Sequence, residues 1–528
     1  MTTRPSRMLV VIPSVLLSLR LMTACTSDRS ATAKARPLVV SVAGDGYNTT
    51  VGSDVGIYPV NANIYETLVR LSPTYQIEPV LARTWKFVAP NTWRFHLRTG
   101  VPFHNGTMLT AKDVVWTMRR IARTPGGTMG LGPSSARAVD DSTVEITPVR
   151  PNRRLVEQLT HPNWSILAAG TEPGRKTIGT GPFRLAEYVK GDHITVERFA
   201  KYWGAAPELD RITFRFVPDP NVRLIALRSG EVDVAADLPR ESAAAAENFP
   251  GVRITRSPVG GYEAIYVNVH SAAPFDLGSN EAIRRSIAHA IDKAAITRDV
   301  WRGNAEPAAT LMPAAMLGED AGVVSSSEFD PSRAMRTLDS AGWVAGPDPF
   351  RHKGSRRLAL SLIVGFPNPE IHRPMPEVLQ AQLRRVGIEL KIEEVADNAA
   401  YQARIRKGDG DLWAEAGGQN DGNPCFLPDL LFYGGDTELS AYARLFAPGS
   451  SFDRVIDACR SAIQPDEVRR QAAEAMRILA NEALVVIPLA GTYRIWGLRD
   501  GVDGFVAHPS SLSQNWSQVR LIANPAGR

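Results

Sequence analysis

Cysteine is scarce. The chain has three in 528 residues, and only Cys425 and Cys459 lie beyond position 25, so one bridge is the most that can form between them. Histidine is sparse too: nine are present, none in a His-x-His or His-x-x-x-His pair, which removes the local signature of a metal site. Also missing are a Gly-x-Ser-x-Gly elbow, a His-Glu-x-x-His pair, a Gly-x-x-x-x-Gly-Lys phosphate loop and a dinucleotide fingerprint. These absences argue against an enzyme. A secreted hydrolase working through an acid pair is the one catalytic alternative they leave. No low-complexity tract or short-period repeat interrupts the chain.

Charge of one sign is also lacking. The first 24 residues hold three arginines and no acid, so the remainder carries 57 basic against 55 acidic residues, or +2. A near-neutral chain of mixed sign gives no reason to expect nucleic acid as a partner. Nor is there a membrane-spanning run near the start: the apolar stretch Met8 to Leu19 is about 12 residues, where about 20 are needed. With Arg4 and Arg7 ahead of it and Leu21-Met22-Thr23-Ala24-Cys25 behind, it reads as a secretory signal over 1–24. Ala24-Cys25 looks like the end of a bacterial lipobox, although Met22 stands where leucine is usual and Arg20 interrupts the run. The expectation is an exported protein, lipidated at Cys25 and anchored to the outer face of the cell membrane, with 25–36 as a Ser/Thr/Ala-rich tether.

What is present is a long interleaving of strand and helix signals, which predicts an α/β architecture. About 490 residues follow the tether, more than the 250 to 300 at which single cores stop growing, so at least two lobes are expected. Trp93, Phe95 and Leu97 alternate with Arg94, His96 and Arg98 as a half-buried strand, Gly100 ends it, and Thr110 with Asp113 predicts a capped helix. Helix, glycine, strand junctions are predicted at Val378 to Ile392 around Gly387 and at Val222 to Val234 around Gly230. Asn280 is expected to cap a helix reaching Ala294, and Asp466 to Ala483 to form a helix feeding the buried strand Leu484 to Pro488. Gly230-Glu231-Val232-Asp233 and Gly410-Asp411-Leu412 repeat one pattern, in which a strand opens with an acid after glycine.

Several ordered motifs carry a family resemblance. They are Thr92 to Arg120, Asn63-Ile64-Tyr65-Glu66-Thr67-Leu68-Val69, Glu78-Pro79-Val80-Leu81-Ala82 with Trp85, Gly179-Thr180-Gly181-Pro182-Phe183 and Tyr202-Trp203-Gly204. Further along come Ala226 to Asp233, Ile283 to Lys293 and Ala341-Gly342-Trp343. Together they resemble the family 5 extracellular solute-binding proteins of ABC importers, which carry peptides or nickel. The resemblance implies a two-lobed periplasmic-binding-protein-like fold of type II, in its three-domain variant, with a hinge. Domain I would comprise 37–60, 178–265 and 493–528, domain II 61–177, and domain III 266–492. It implies a peptide-like solute enclosed between I and III, a permease and ATPase as partners, a monomer, and no cofactor.

The loop Gly417 to Leu427 is the most unusual segment. In peptide-binding relatives such a loop sets an aspartate against the ligand's amino group, which implies Gln419, Asn420, Asp421 and Asn423 as ligand-binding residues here. An ungapped match puts Asn420 at the usual position with Asp421 one later, so which of the two faces the solute stays open. A tight Asn/Asp/Gly turn with no ligand role is the plainer alternative. Tyr47, Trp164, Tyr262 and Tyr266 are expected near inner edges, with core packing an equal reading for each. The nickel alternative finds Gly418 where a tryptophan is expected, and leaves only His161 and Cys425 as ligands that the fold could bring together. An exported chain meets a disulfide-permissive space, so a Cys425–Cys459 bridge and two buried thiols are both open.

Overall fold

The chain divides into two units, Met1–Arg36 and Pro37–Arg528, and the strands and helices named below belong to the second. The computed structural model describes residues 36–44, 58–88, 90–123, 131–149, 151–171, 177–270, 274–325, 327–365, 375–395, 397–434 and 446–522. Cys25 and Tyr47 lie outside the described residues.

The alternation around Trp93 produces the strand Thr92–Leu97, with Phe95 and Leu97 buried. It pairs antiparallel with Ala82–Val88 and Thr143–Ile146, and Ala136–Asp140 completes a four-stranded sheet. Helix Ala111–Ile121 packs its apolar face, including Val114, Val115 and Met118, into the same core. Asp113 Oδ2 accepts from Thr110 N at 2.8 Å, while Oδ1 accepts from Ala169 N at 2.8 Å. One acid thus fixes a helix start and the segment leading from Trp164.

Two larger sheets organise the rest. A seven-stranded sheet runs in the order Val252–Arg256, Ile495–Arg499, Val234–Ala235, Leu38–Val42, Arg211–Phe216, His193–Arg198, Phe183–Val189. A six-stranded sheet runs Ala305–Pro307, Val486–Thr492, Gly261–Val267, Leu412–Gly418, Ala359–Gly365, Glu389–Val395. Each contains a parallel set: Leu38–Val42 is flanked in parallel by Arg211–Phe216 and Val234–Ala235, and Ala359–Gly365 by Glu389–Val395 and Leu412–Gly418.

The repeated glycine-acid junction has a common physical role in both sheets. Helix Pro220–Ser229 ends at Gly230 with φ 82°, and Asp233 Oδ2 then accepts from Val39 N at 2.9 Å. Helix Asn398–Lys407 ends at Gly408 with φ 73°, and Asp411 Oδ2 accepts from Ser361 N at 2.8 Å. In each case the acid serves an N–H near the start of a neighbouring parallel strand, a donor the ladder leaves open.

The chain crosses between the large sheets twice, at 257–260 and at 493–494, and the crossings run side by side. Ser257 N donates to Arg494 O at 3.0 Å, Arg494 N to Ser257 Oγ at 2.9 Å, and Gly260 N to Thr492 O at 3.1 Å. A boundary at 265/266 would cut strand Gly261–Val267, every residue of which pairs with Leu412–Gly418; the seam falls earlier, at 257–260.

Three expected elements are corrected. The helix from Glu281 ends at Ala290, because Ile291 is extended and Asp292 caps a new short helix through Ala295 N at 2.8 Å. Asn280 makes no side-chain cap; its amide donates to Asp276 O at 3.2 Å instead. Helix Pro465–Arg477 widens into a π turn at Ile478–Glu482, Leu484 takes φ 53°, and the strand starts at Val486.

Candidate functional site

Strand Leu412–Gly418 delivers the unusual loop to the seam. Gly417 lies flat against Tyr262: a Cβ there would sit 2.7 Å from the phenol ring, so only glycine allows this approach. Gln419 N donates to Gly260 O at 3.0 Å, tying the loop's start to a crossing segment. Its end is tied covalently, since Cys425 and Cys459 form a disulfide with Cα atoms 6.6 Å apart, anchoring it to helix Ser451–Ser461.

Within the loop, Gln419, Asp421 and Asn423 are each at most 2% exposed. Gln419 Nε2 donates to Asp421 Oδ1 at 3.0 Å and Asn423 O at 2.8 Å, Asn423 N donates to Asp421 Oδ1 at 2.9 Å, and Cys425 N donates to Asn423 Oδ1 at 3.0 Å. One oxygen of Asp421 is thereby held. Its other, Oδ2, and Gln419 Oε1 have no hydrogen-bond partner among the described residues. Asn420 takes a different course, accepting from Ser510 Oγ at 3.0 Å.

Segment 153–160 meets this loop from the four-stranded region. Gly422 N donates to Thr160 Oγ1 at 3.1 Å, and a Cβ on Gly422 would lie 3.7 Å from Glu157 Cβ. Glu157 accepts from Arg154 Nη1 at 2.6 Å, and Arg154 Nη2 donates to Ala462 O. Burial pushes the Asp421 carboxyl up to about 7, and the neighbouring Glu157 charge adds to the rise against the hydrogen bonds from Asn423 and Gln419. Burial likewise raises Glu157, with Arg154 opposing. A fully buried carboxylate, Asp421, therefore neighbours a half-buried one, Glu157, that Arg154 pairs, and an acceptor of each kind, acid and amide, is left open. Such a site suits a positively charged donor.

The three described aromatic candidates, Trp164, Tyr262 and Tyr266, lie in cores. Both faces of strand Gly261–Val267 are covered: Tyr262, Ala264 and Tyr266 point into one core, Ile265 and Val267 into another, which hides the alternation in sequence. Tyr266 stacks on Phe432 at 5.9 Å between centroids and donates to the Tyr262 hydroxyl at 3.2 Å. Trp164 is 2% exposed within the four-stranded region's core, and its indole N–H has no partner among the described residues. His161 and Cys425 do not form a metal pair. Cys425 is in the disulfide, and His161 Nδ1 accepts from Asn163 N at 3.1 Å as the cap of Pro162–Trp164. Among the described residues no three His, Cys, Asp or Glu side chains are grouped to hold a metal ion.

Glu157, Thr160 and Ser510 escape sequence reasoning. Arg154 and Glu157 have the spacing of an ordinary helix-surface pair, and nothing local marks Thr160 or Ser510.

Two α/β sheets joined by paired crossings, with a buried polar loop beside the seam, define a solute-binding protein of the periplasmic type. The chain belongs to the bacterial extracellular solute-binding proteins, family 5, whose model matches residues 76–438. Members of this family are exported transport proteins and perform no catalysis. Relatives include the probable ABC transporter periplasmic-binding protein SapA of Escherichia coli K12, 27% identical over 490 residues and 85% of each chain. The dipeptide-binding protein of the same strain is 28% identical, over 91% of this chain and 94% of its own. The fold is shared with Brucella suis NikA in complex with Fe(III)-EDTA, at TM-score 0.80, 24% identity and coverage of 92% and 100%. It is shared too with Helicobacter pylori DppA in complex with the peptide STSA, at TM-score 0.74, 23% identity and coverage of 92% and 98%.

Proposed function

We propose that this protein captures a peptide-like solute by its protonated amino group and presents it to the permease and ATPase of an ABC importer. The carrying observation is Asp421: a buried carboxylate with one oxygen held by the loop and the other unpartnered among the described residues, beside the similarly open Gln419 Oε1 and across from Glu157. An ammonium group brings one positive charge and three donors, which answers both deficits at once. Asn420, neutral and bonded to Ser510, is less suited to this role.

In this reading the solute lies between the bodies built on the seven-stranded and six-stranded sheets, which close about the crossings at 257–260 and 493–494. The region 61–177 joins in through Glu157 and Thr160. Lipidation at Cys25 would hold a monomer at the membrane's outer face. The peptide and dipeptide named for the relatives favour a peptide over a metal chelate.

Calorimetry with a free-amine peptide identified by native mass spectrometry of the purified protein tests the site. Asp421→Ala is expected to weaken binding by about 3 kcal/mol, as loss of one partner of a buried pair does, while the N-acetylated peptide binds wild type no better than it binds the variant. Equal affinity of wild type and variant for the free-amine peptide would remove Asp421 from recognition.

A further inference from the structure

A cavity of about 300 Å³ is walled by parts of segments 62–80, 160–165 and 504–518. That volume is at the small end of the range, about 300 to 1,000 Å³, typical of small-molecule sites. Asp421, Gln419 and Glu157 are not among its walls, and it meets their site only at Thr160, which accepts from Gly422 N.

Most polar groups in the wall are already engaged. Glu66 accepts from the Tyr202 hydroxyl at 2.8 Å and the Trp203 indole at 2.9 Å. His508 bonds Leu71 O through Nε2 and Ser510 through Nδ1, each at 3.0 Å. Ser165 Oγ donates to Pro162 O at 2.6 Å. Arg70 and Glu78 are differently placed: they pair with each other at the rim, at 2.8 Å, with side chains 54% and 41% exposed. Water screens such a pair, so separating its members costs little.

Both side chains nevertheless line the cavity. Burial is the main influence on Glu66, which it raises, and on His508, which it lowers, and beneath it both feel the positive charge of Arg70. Beside this pair of opposite charges stands an apolar wall of Leu71, Pro73, Val80, Pro182 and Val506. A cation, an anion and an apolar surface around one small volume match a zwitterion with an apolar side chain. Its carboxylate replaces Glu78 on Arg70, its ammonium replaces Arg70 on Glu78, and the side chain covers the apolar wall.

We propose that this cavity is a second binding site, specific for a single free amino acid with an apolar side chain and held by Arg70 and Glu78.

Isothermal calorimetry with L-leucine on the full chain tests this, using wild type, Arg70→Gln, Glu78→Gln and Asp421→Asn. Wild type is expected to bind one leucine, the two rim variants to bind it about tenfold more weakly or worse, and Asp421→Asn to bind it within about twofold of wild type. Two fragments separate the poles: 4-methylpentanoate should lose affinity in Arg70→Gln only, and 3-methylbutylamine in Glu78→Gln only. Both rim side chains are exposed, and an unchanged melting temperature verifies folding. The proposal is overturned by absence of binding up to about 10 mM, by equal binding in all four proteins, or by loss in Asp421→Asn with retention in Arg70→Gln, which would put leucine on the loop. Failure here leaves the Asp421 reading standing, since that rests on the peptide's response to Asp421→Ala.

Discussion

In the proposed site Asp421 links solute recognition to stability, and Asp421→Asn measures the stability half of that link without a ligand. An aspartate's ordinary value is 3.8, and burial holds this one at about 7. The folded state therefore binds the proton more tightly than the unfolded chain does. The contribution to stability is fully present below about pH 4 and is lost as pH rises through about 7. At 1.36 kcal/mol per pH unit the full difference is about 4 kcal/mol. Asparagine keeps an oxygen to accept from Gln419 Nε2 and Asn423 N, removes the charge, and replaces the unpartnered acceptor with a donor. Solute-free protein, prepared by unfolding and refolding, is unfolded by urea between about pH 4 and pH 8. The expected outcome is a variant more stable than wild type at the alkaline end by up to about 4 kcal/mol, with the difference shrinking toward acid. Subtraction between the two proteins cancels the other titrating groups. Parallel pH profiles, or a variant less stable than wild type at pH 8, would refute the claim that an uncompensated carboxylate is buried here.

Replacing Cys425 and Cys459 together by alanine opens a loop with sequence separation 34. Chain entropy predicts a loss of about 3 to 4 kcal/mol, read as a lower urea midpoint than oxidised wild type and no further response to reductant; a loss below about 1 kcal/mol would contradict it. Thr160→Val leaves Gly422 N without its acceptor, so urea unfolding should show about 1 to 3 kcal/mol of destabilisation; unaltered stability would mean that segment 153–160 does not hold the loop. Gly417→Ala forces a methyl into the Tyr262 ring, and thermal unfolding should show about 1 to 3 kcal/mol of destabilisation. A neutral result there would mean that the strand shifts freely.

Local chemistry is what the sequence makes legible. Thr110 and Asp113 announce a helix start because the acid needs only the backbone three residues away. Gly230 announces a helix end because left-handed backbone needs glycine whatever surrounds it. The loop from Gly417 stands out by composition alone. Which of its polar residues turns inward is not legible, since the choice is made by Ser510, 90 positions from Asn420, and by Thr160, 262 positions from Gly422. Tyr262 and Tyr266 leave two readings open for a related reason: a strand covered on both faces shows no alternation, so inner edge and core look alike. Leu484 gives no warning of its positive φ, because a bulky residue adopts that conformation only when its surroundings impose it.

The open acceptors at Asp421 and Gln419 explain one another. A chain selected for stability alone would place an asparagine at 421, which removes the buried charge while keeping an oxygen for Gln419 and Asn423. Instead the loop is held by the disulfide, by Gly260 and by Ser510, which fixes both acceptors where they stand. In the proposed role, that rigidity keeps the deficit in place until a cation arrives from outside. Selectivity would have the same origin: a solute lacking a positive group would leave both acceptors buried and unmet, and so would be rejected by the desolvation of the site as well as by the absence of an attractive pair.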